Sequence, residues 1–420
     1  MANGTPPPIL VAGMHPGSLH PTREASRLLA EAEVLVGGRR QLAAWALLCG
    51  DTCQIRLRKQ IPISGPLPPI LEKIAKARAE GLRVAVLADG DPLYYGVARR
   101  LIEEFGRDAV AIVPNLTTLQ VACAKLAMPW HDMETVSLHG RTDFSPLFAA
   151  LVRAERVAVF TDAVNDPAAI ARALLERGLD GLFMNVLEDL NTPQEIIRRL
   201  TPEEVWGYEY SPLNLVIIER SYPPEIPMAL GLPDHFYFHE RGLITKQPIR
   251  AAGLAALNVM PESTVWDVGA GCGSVAIEAS ILAHRGRVFA IEKHRRRAAM
   301  IRENIRRMGA WTVHTTRGDM PAACINLPTP DRVFIGGGLG GEANEDAGVL
   351  ETCCARLASP GRIVLHCILL DSLIRAKAHF ASLGWTYGIT QLQASTSDNL
   401  AGDLRFKAQN PVFILWAEKP

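Results

Sequence analysis

Short apolar runs alternate with stretches of helical periodicity along the whole chain. The short runs predict strands buried in a sheet, and the amphipathic stretches between them predict helices. In the first half the predicted strands are 9–13, 83–87, 109–113, 156–160, 181–187 and 214–219, and the predicted helices are 22–32, 68–80, 117–127, 166–177 and 193–200. Because strands and helices alternate, the fold class is α/β, with mostly parallel sheets.

A proline-rich stretch at 221–227 interrupts this alternation. Residues 223–227 contain three prolines in five positions, which neither a helix nor a strand accommodates. We place a domain boundary there, with predicted domains at 1–222 and 228–420. The second domain restarts the pattern, with predicted strands at 264–268, 287–292, 312–316, 331–335 and 361–366, a closing pair of strands from 385 onward and at 411–417, and predicted helices at 245–256, 274–284 and 294–308.

Composition narrows the class of protein. The chain has 420 residues, of which 48% are hydrophobic and 21% charged, as is ordinary for globular proteins. Lys+Arg and Asp+Glu are both 44, and this balance disfavours nucleic-acid binding. We find no signal peptide at 1–8 and no apolar run long enough to cross a membrane, so we expect a cytoplasmic protein. The eight cysteines lack CxxC spacing and are expected to be buried thiols in a reducing compartment, including Cys49, Cys53, Cys353 and Cys354.

A glycine-rich loop follows the predicted strand 264–268. Such a loop lets the backbone approach a ligand, and the helix that follows it offers free N–H groups. Glu292 ends the next predicted strand, 25 residues after Asp267, where a carboxylate can accept both ribose hydroxyls of an adenosyl group. The spacing G-x-G-x-G fits S-adenosylmethionine better than a dinucleotide, whose third glycine would stand at Ser274. The loop residues are Gly269, Ala270, Gly271, Cys272 and Gly273.

Three neighbouring features leave alternatives open. Asp319 and Met320 form a turn after another predicted strand, and this turn either covers an adenine ring or is a plain connecting turn. Residues 285–307 contain nine Lys/Arg and two Glu, which indicates a solvated helix, a surface for an acidic small molecule, or the face of an RNA methyltransferase. His235 and His239 have metal-ligand spacing but no third ligand nearby, so we predict no metal site.

Four loops in the first half follow predicted strands. They occupy 13–17, 87–96, 113–119 and 137–141. Ligands of open α/β sheets bind just outside the carboxyl ends of strands. A single Gly-Asp-Pro turn such as 90–92 is generic, but four loops in equivalent positions indicate a binding site.

These motifs resemble two known families. The loops at 13–17, 90–92, 114–118 and 137–141 resemble the tetrapyrrole (corrin/porphyrin) methylases. The segments 242–246, 267–273 and 410–412 and the turn at Gly336 resemble the precorrin decarboxylating methyltransferases. Joined in this order, the halves resemble the decarboxylating precorrin-6Y methyltransferase family of vitamin B12 synthesis. The chain departs from the usual pattern at His15, where a glycine is common, at Met320, where a small residue is common, and in an extended Gly336 turn.

The resemblance implies a fold and an activity. We expect an N-terminal class III methylase domain of two α/β lobes and a C-terminal Rossmann-like class I methyltransferase domain. Each domain would bind one S-adenosylmethionine. The first would methylate C5 of precorrin-6B, and the second would methylate C15 and remove the C12 acetate carboxylate, giving precorrin-8. A homo-oligomer is also implied. A carrier of the macrocycle without turnover, an NAD-dependent dehydrogenase and an RNA methyltransferase are the competing interpretations.

The resemblance also implies site residues. We expect the C-terminal cofactor contacts at Thr245, Gly269 to Gly273, Glu292, Asp319 and Met320, and the N-terminal ones at Gly90, Asp91, Pro92, Thr117 and Thr118. The substrate carries acetate and propionate arms, for which Arg side chains are suitable partners. The expected clamps are Arg141, Arg241 and Arg250, and the candidate catalytic residues are Lys246, beside the cofactor, and His139, which either touches substrate or caps a turn.

Overall fold

The computed structural model describes residues 6–54, 56–336 and 348–420, without the side chains of 51–54. This part of the chain forms two compact units. The first comprises the described residues of Met1–Arg141 together with Arg156–Arg172 and Leu182–Glu219, and the second comprises Thr142–Glu155, Ala173–Gly181 and the described residues of Arg220–Pro420. Most of the predicted Gly336 turn lies outside the described residues, as do Met1–Thr5 and the side chain of Cys53.

The first unit contains a five-stranded parallel sheet in the order β3-β2-β4-β1-β5. Its central strands are apolar except for the exposed Asp89 at the end of β4, as expected for strands whose two faces are covered. The strands are β1 Ile9–Met14, β2 Val34–Gly37, β3 Lys59–Pro62, β4 Val84–Asp89 and β5 Val110–Val113. The helices are α1 Arg23–Leu29, α2 Arg39–Gln54, α3 Pro68–Ala79, α4 Ala98–Phe105 and α5 Thr118–Lys125.

A second five-stranded sheet has the order β6-β7-β10-β8-β9 and mixes parallel and antiparallel pairs. Its strands are β6 Glu134–Ser137, β7 Arg156–Phe160, β8 Leu182–Glu188, β9 Ile196–Leu200 and β10 Asn214–Arg220. Helices α6 Ser145–Arg153 and α7 Pro167–Glu176 lie between these strands in the chain. The helix predicted at 193–200 is wrong. This segment pairs with β8 as an edge strand, because tertiary pairing overrides the weak preference of so short a stretch.

The third sheet has seven strands in the order β13-β12-β11-β14-β15-β19-β16, of which the first five are parallel. The strands are β11 Thr264–Val268, β12 Arg287–Glu292, β13 Val313–Arg317, β14 Arg332–Ile335, β15 Gly361–Cys367, β16 Thr386–Leu392 and β19 Val412–Lys419. The predicted closing pair is confirmed as β16 and β19, which pair antiparallel. The sequence interpretation missed the hairpin between them, formed by β17 Ser395–Leu400 and β18 Asp403–Ala408.

Helices cover the third sheet and enclose a core around the fully buried Trp266. They are α8 Gln247–Leu257, α9 Ser274–Leu282, α10 Arg295–Met308, α11 Val349–Arg356 and α12 Leu370–Ser382. Cys353 and Cys354 are buried free thiols, as predicted, whereas Cys49 is disulfide-bonded, so the expectation of a thiol there is wrong. Within the described ranges, the search for a helix long and apolar enough to span a bilayer found none.

Candidate functional site

The glycine loop of the second unit lies where the strand order of the sheet reverses. The chain passes from β11 to β12 and β13 on one side, then returns to β14 and β15 on the other. Open α/β sheets bind ligands at this position. Gly269, Gly271 and Gly273 have φ of 71°, 59° and 82°, in the left-handed region that favours glycine. The predicted strand, glycine turn and helix are therefore confirmed.

A buried carboxylate faces this loop. Glu292 ends β12 and is 3% exposed. One of its oxygens accepts a hydrogen bond from the Gly271 N–H at 2.9 Å, and the other accepts from the His294 N–H and the Arg297 guanidinium, each at 2.9 Å. The oxygen facing Gly271 keeps lone-pair capacity for a further donor. This geometry is suited to accepting a hydroxyl group of a ligand that lies over the loop.

Asp267 lies beneath the same loop and is 1% exposed. Its carboxylate accepts a hydrogen bond from the Ala276 N–H at 3.0 Å, in the first turn of α9. Burial, together with the nearby charge of Glu292, raises the pKa of Asp267 to about 7 against the opposing effect of that hydrogen bond. Asp267 thus ties the loop to α9 and is partly protonated near neutral pH.

The raised pKa of Asp267 predicts a pH-dependent stability. The folded state holds this proton more tightly than the unfolded state, so the free energy of unfolding falls as the pH rises from about 4 to about 7. The Asp267→Asn variant does not titrate, so it should keep the free energy of unfolding, on the order of 2–4 kcal/mol, that the wild type loses over this range. Its stability should therefore exceed that of the wild type by an amount that grows up to pH 7. Urea unfolding between pH 4.5 and 8 measures this difference. Exposed Asp319→Asn is the control, and a pH-independent difference would contradict the prediction.

The turn after β13 reaches the same edge of the sheet. The Gly318 N–H donates to the Glu292 carbonyl at 3.2 Å, which fixes the turn beside the end of β12. Asp319 is exposed, and Met320 is half-buried against the core around Trp266. The structure therefore brings these two residues to the predicted edge, beside Glu292, where they stay predicted cofactor contacts.

The segment before α8 holds the other predicted C-terminal residues. Thr245 and Lys246 are half-buried and Arg241 is exposed. The Lys246 ammonium donates to the Gly242 carbonyl at 3.3 Å and lies 3.5 Å from Asp234, so this cation is already paired. Lys246 stays a predicted catalytic residue and Arg241 a predicted clamp.

Arg250 is not a substrate clamp, because its side chain is fully buried. Its guanidinium donates to Glu278 at 2.6 Å, to Asp234 at 3.2 Å and to the Thr245 carbonyl at 2.6 Å, and it also bonds the Leu232 carbonyl. These bonds leave the side chain no access to a carboxylate arm of a substrate. Arg250 is a positioning residue that ties the segment before α8 to helix α9.

In the first unit three loops meet at the carboxyl ends of β1, β4 and β5. A side chain at Gly13 would lie 2.2 Å from the Gly90 carbonyl and 2.7 Å from the Asn115 N–H, so only glycine permits this approach. The Asn115 amide donates to the Gly13 carbonyl at 3.1 Å. Thr117 caps α5 in a reciprocal capping box with Gln120. Three of the four predicted loops are thus brought together.

A cavity of about 370 Å³ opens beside these loops. Of the predicted cofactor residues Gly90, Asp91, Thr117 and Thr118 line it. Pro92 lies in the same turn, and its carbonyl accepts from the Ala98 N–H at 3.1 Å. Several other lining residues were not singled out from the sequence. They are Gly38, Gln41, Ile63, Val97 and Phe160, together with Tyr94 and Tyr95 of the predicted loop 87–96, whose position shortly after the Gly-Asp-Pro turn was the available signal.

His139 and Arg141 are exposed residues of the loop after β6. Asp162 holds this loop by accepting from the Gly140 N–H at 2.6 Å, and such backbone hydrogen bonds lower the pKa of Asp162 to about 2. The buried Asn165 amide donates to the Leu138 and Arg141 carbonyls at 2.8 and 2.9 Å. His139 and Arg141 therefore lie on a fixed loop and stay predicted substrate contacts.

The predicted histidine pair does not gain a third ligand. Among the described residues, no group of three His, Cys, Asp or Glu side chains could hold a metal ion. His239 instead accepts a hydrogen bond from the Gly242 N–H at 3.2 Å through Nδ1.

Comparison with known proteins covers both units. The family of tetrapyrrole (corrin/porphyrin) methylases matches residues 8–205, and the precorrin methyltransferase domain matches residues 236–419. The Sinorhizobium precorrin-6Y C(5,15)-methyltransferase (decarboxylating) is 31% identical over 398 residues, which are 93% of this chain and 91% of the relative. The chain belongs to the precorrin-6Y C5,15-methyltransferase (decarboxylating) family. The family relationship and the α/β fold class predicted from the motifs are confirmed, and the chain is an enzyme of the methyltransferase class.

Two further members illustrate the extent of this family. A Mycobacterium tuberculosis protein of the same name is 31% identical over 409 residues, which are 96% of this chain and 98% of the relative. A crystal structure of a precorrin-6Y C5,15-methyltransferase from Geobacter metallireducens is 35% identical and covers 45% of this chain and 98% of its own, with a TM-score of 0.42.

Proposed function

We propose that the chain methylates precorrin-6B at C5 and C15 and decarboxylates its C12 acetate, giving precorrin-8. The observation that supports this most is that each unit has its own loop site at strand carboxyl ends, while the curated family members match nearly the whole chain. Two chemically separate methylations fit two separate sites. The methyl donor is S-adenosylmethionine, one per domain, with C5 methylation in the N-terminal and C15 methylation in the C-terminal domain.

The residues of the C-terminal site fit an adenosyl ligand. Glu292 presents a buried carboxylate oxygen beside the open backbone at Gly271, where an added Cβ would meet nothing within 4 Å. A ribose hydroxyl can donate to that oxygen, and Met320 supplies an apolar surface for a flat ring. When bound, S-adenosylmethionine supplies an electrophilic methyl group. The residues of the chain bind and orient the two reactants and exclude water. This positioning can lower the barrier by roughly 7–11 kcal/mol.

Decarboxylation requires that the electron pair left by CO2 be accepted by the macrocycle. The carbon that gains this electron density is then the nucleophile for the methyl group, so we propose that CO2 leaves before C15 is methylated. Lys246 is the cation of the segment before α8, and we propose that an entering acetate arm displaces Asp234, which lies 3.5 Å from its ammonium group. Arg141 and Arg241 are the exposed guanidinium groups proposed for the other arms.

The RNA-methyltransferase alternative is disfavoured by the ion pairs of the basic stretch 285–307. Most of its guanidinium groups are paired with carboxylates and so offer little free charge to phosphates. The pairs are Arg285 with Glu262, Arg287 with Asp143, Arg296 with Glu240, Arg297 with Glu292, Arg306 with Glu303, and Arg307 with Glu225. A nucleic-acid enzyme would show binding of RNA that falls steeply with salt.

Mass spectrometry of the macrocycle tests the proposed function. Precorrin-6B incubated with the purified chain and deuteromethyl-labelled S-adenosylmethionine is expected to gain two labelled methyl groups and lose one CO2. Without the donor, loss of CO2 alone is expected, because decarboxylation precedes the C15 methylation. An unchanged macrocycle would contradict the function, and CO2 loss that occurs only with the donor would contradict the order.

A further inference from the structure

Three aromatic rings form one wall of the N-terminal cavity. The ring centroids of Tyr94 and Tyr95 are 5.1 Å apart, and those of Phe160 lie 5.7 Å from Tyr94 and 5.3 Å from Tyr95. The rings are tilted against one another by 46° to 72°, so they form an apolar corner and not a parallel slot. Tyr95 is 54% exposed, which leaves its ring available to a ligand.

The conformation of Tyr95 is held against its own preference. Its φ is 54°, in the left-handed region that bulky side chains rarely adopt. Its hydroxyl donates to the Thr135 carbonyl at 2.9 Å, which keeps the ring against the cavity wall. Because this hydroxyl is already used, the ring is the part of Tyr95 that it presents to a ligand.

The charge of the cavity has one sign. Among the described residues that line it, the charged ones are Asp89 and Asp91. Asp91 accepts a hydrogen bond from the Leu93 N–H at 2.8 Å, and Asp89 lies 3.4 Å from the Arg40 guanidinium. A lining that combines carboxylates with aromatic faces attracts cations and repels the carboxylate arms of a tetrapyrrole.

We propose that the aromatic corner of Tyr94, Tyr95 and Phe160 binds the sulfonium group of S-adenosylmethionine and discriminates this donor from its demethylated product. The inference rests on the proposed function, which places the donor in this cavity. Transfer of the methyl group converts the sulfonium cation into a neutral thioether. The cation–π attraction therefore disappears with the reaction, while contacts to the shared adenosyl part persist. The corner holds the donor and favours release of S-adenosylhomocysteine.

The tilt of the rings favours the sulfonium over the adenine as the group bound there. A flat adenine ring needs a parallel face and polar partners for its edge, whereas the Tyr95 hydroxyl is committed to Thr135. A compact sulfonium, whose sulfur is bonded to three carbon atoms, fits a corner of tilted rings. The adenine alternative predicts equal effects of the rings on donor and product, which makes it a separable outcome.

Calorimetric titration of the full chain carrying Glu292→Ala tests the proposal, since that substitution is directed at the C-terminal site alone. Tyr95→Leu is expected to weaken S-adenosylmethionine binding by about 2–30-fold and to leave S-adenosylhomocysteine binding within about 2-fold. Tyr95→Phe keeps the ring but loses the hydrogen bond to Thr135, so it is expected to weaken donor binding less than Tyr95→Leu does and to leave S-adenosylhomocysteine binding unchanged. Tyr208→Leu, an equally exposed tyrosine outside the cavity lining, is the control for loss of an aromatic ring.

The outcomes separate the inference from the function on which it rests. Equal weakening of both ligands by Tyr95→Leu would show that the ring contacts the adenosyl part, and no change in either would show that it contacts neither; both results overturn the inference but leave the donor in the cavity. A parent chain that binds neither ligand would overturn the proposed N-terminal donor site itself. Phe160→Leu provides a second variant. It is expected to weaken binding of the donor but not of the product, as Tyr95→Leu does.

Discussion

Replacing Arg250 by Met is expected to lower the free energy of unfolding of the second unit by about 3–5 kcal/mol. Both Arg250 and its partner Glu278 are fully buried and lie 2.6 Å apart. Met fills a similar volume but leaves the Glu278 carboxylate buried without its counter-charge. Removing one member of such a pair destabilises far more than the pair itself contributes, because the remaining charge has lost its solvation by water as well as its partner.

The remaining contacts of Glu278 hold its charged carboxylate in the buried position. Its oxygens also accept from the Gly231 N–H at 2.8 Å, the Leu232 N–H at 3.2 Å and the Tyr237 hydroxyl at 3.1 Å. These neutral donors keep the carboxylate in place but supply no positive charge. The ion pair thus joins α8 to helix α9, and Glu278 also holds the segment before α8 through these hydrogen bonds, so loss of the pair affects all three.

A double-mutant cycle makes the Arg250 prediction specific. Adding Glu278→Gln to Arg250→Met removes the orphaned charge while keeping an acceptor for the N–H groups, so we expect it to recover part of the lost stability. Urea unfolding followed by tryptophan fluorescence, to which the buried Trp266 contributes, measures each variant. Arg241→Met is the matched control, expected within about 0.5 kcal/mol of the wild type because Arg241 is exposed. Equal losses for Arg241→Met and Arg250→Met would refute the buried-pair interpretation.

Replacing Glu292 by Ala is expected to suppress C15 methylation, while C5 methylation and the loss of CO2 continue. The substitution removes the acceptor proposed for the ribose of the C-terminal donor. A hydrogen bond to a charged group is worth roughly 1.5–3 kcal/mol, so the loss of the one to the ribose predicts a fall in donor affinity of about 10–10²-fold. The N-terminal cavity shares no residue with this site and should retain its donor.

Mass spectrometry again measures the outcome for Glu292→Ala, now as the number of labelled methyl groups per macrocycle. One labelled methyl group instead of two is expected. Glu262→Ala is the matched control, since Glu262 is an exposed carboxylate paired with Arg285 in the same unit. Loss of both methyl groups with a folded protein would show that the two sites do not act independently.

Local patterns were sufficient for the elements that surround the sites. The strand β11, the glycine loop and α9 follow directly from an apolar run, three glycines and a helical stretch, because glycine takes the left-handed φ that the loop requires without a steric penalty. The same holds for β7 and β12, whose predicted and observed bounds coincide. By contrast, 193–200 became a strand because β8 offers it an edge, which is information that eight residues do not contain.

The sequence by itself determined the fold class, the family and the loops of the two candidate sites, since these depend on residue types at fixed short spacings. Only the tertiary structure decided which charged side chains are buried and with which partners they pair. Arg250 looked like a clamp for a carboxylate arm, yet folding places Glu278 against it, 28 positions further along the chain. The aromatic wall likewise joins Tyr95 to Phe160 from distant segments. Burial and pairing are properties of contacts between elements, and no spacing along the chain encodes them.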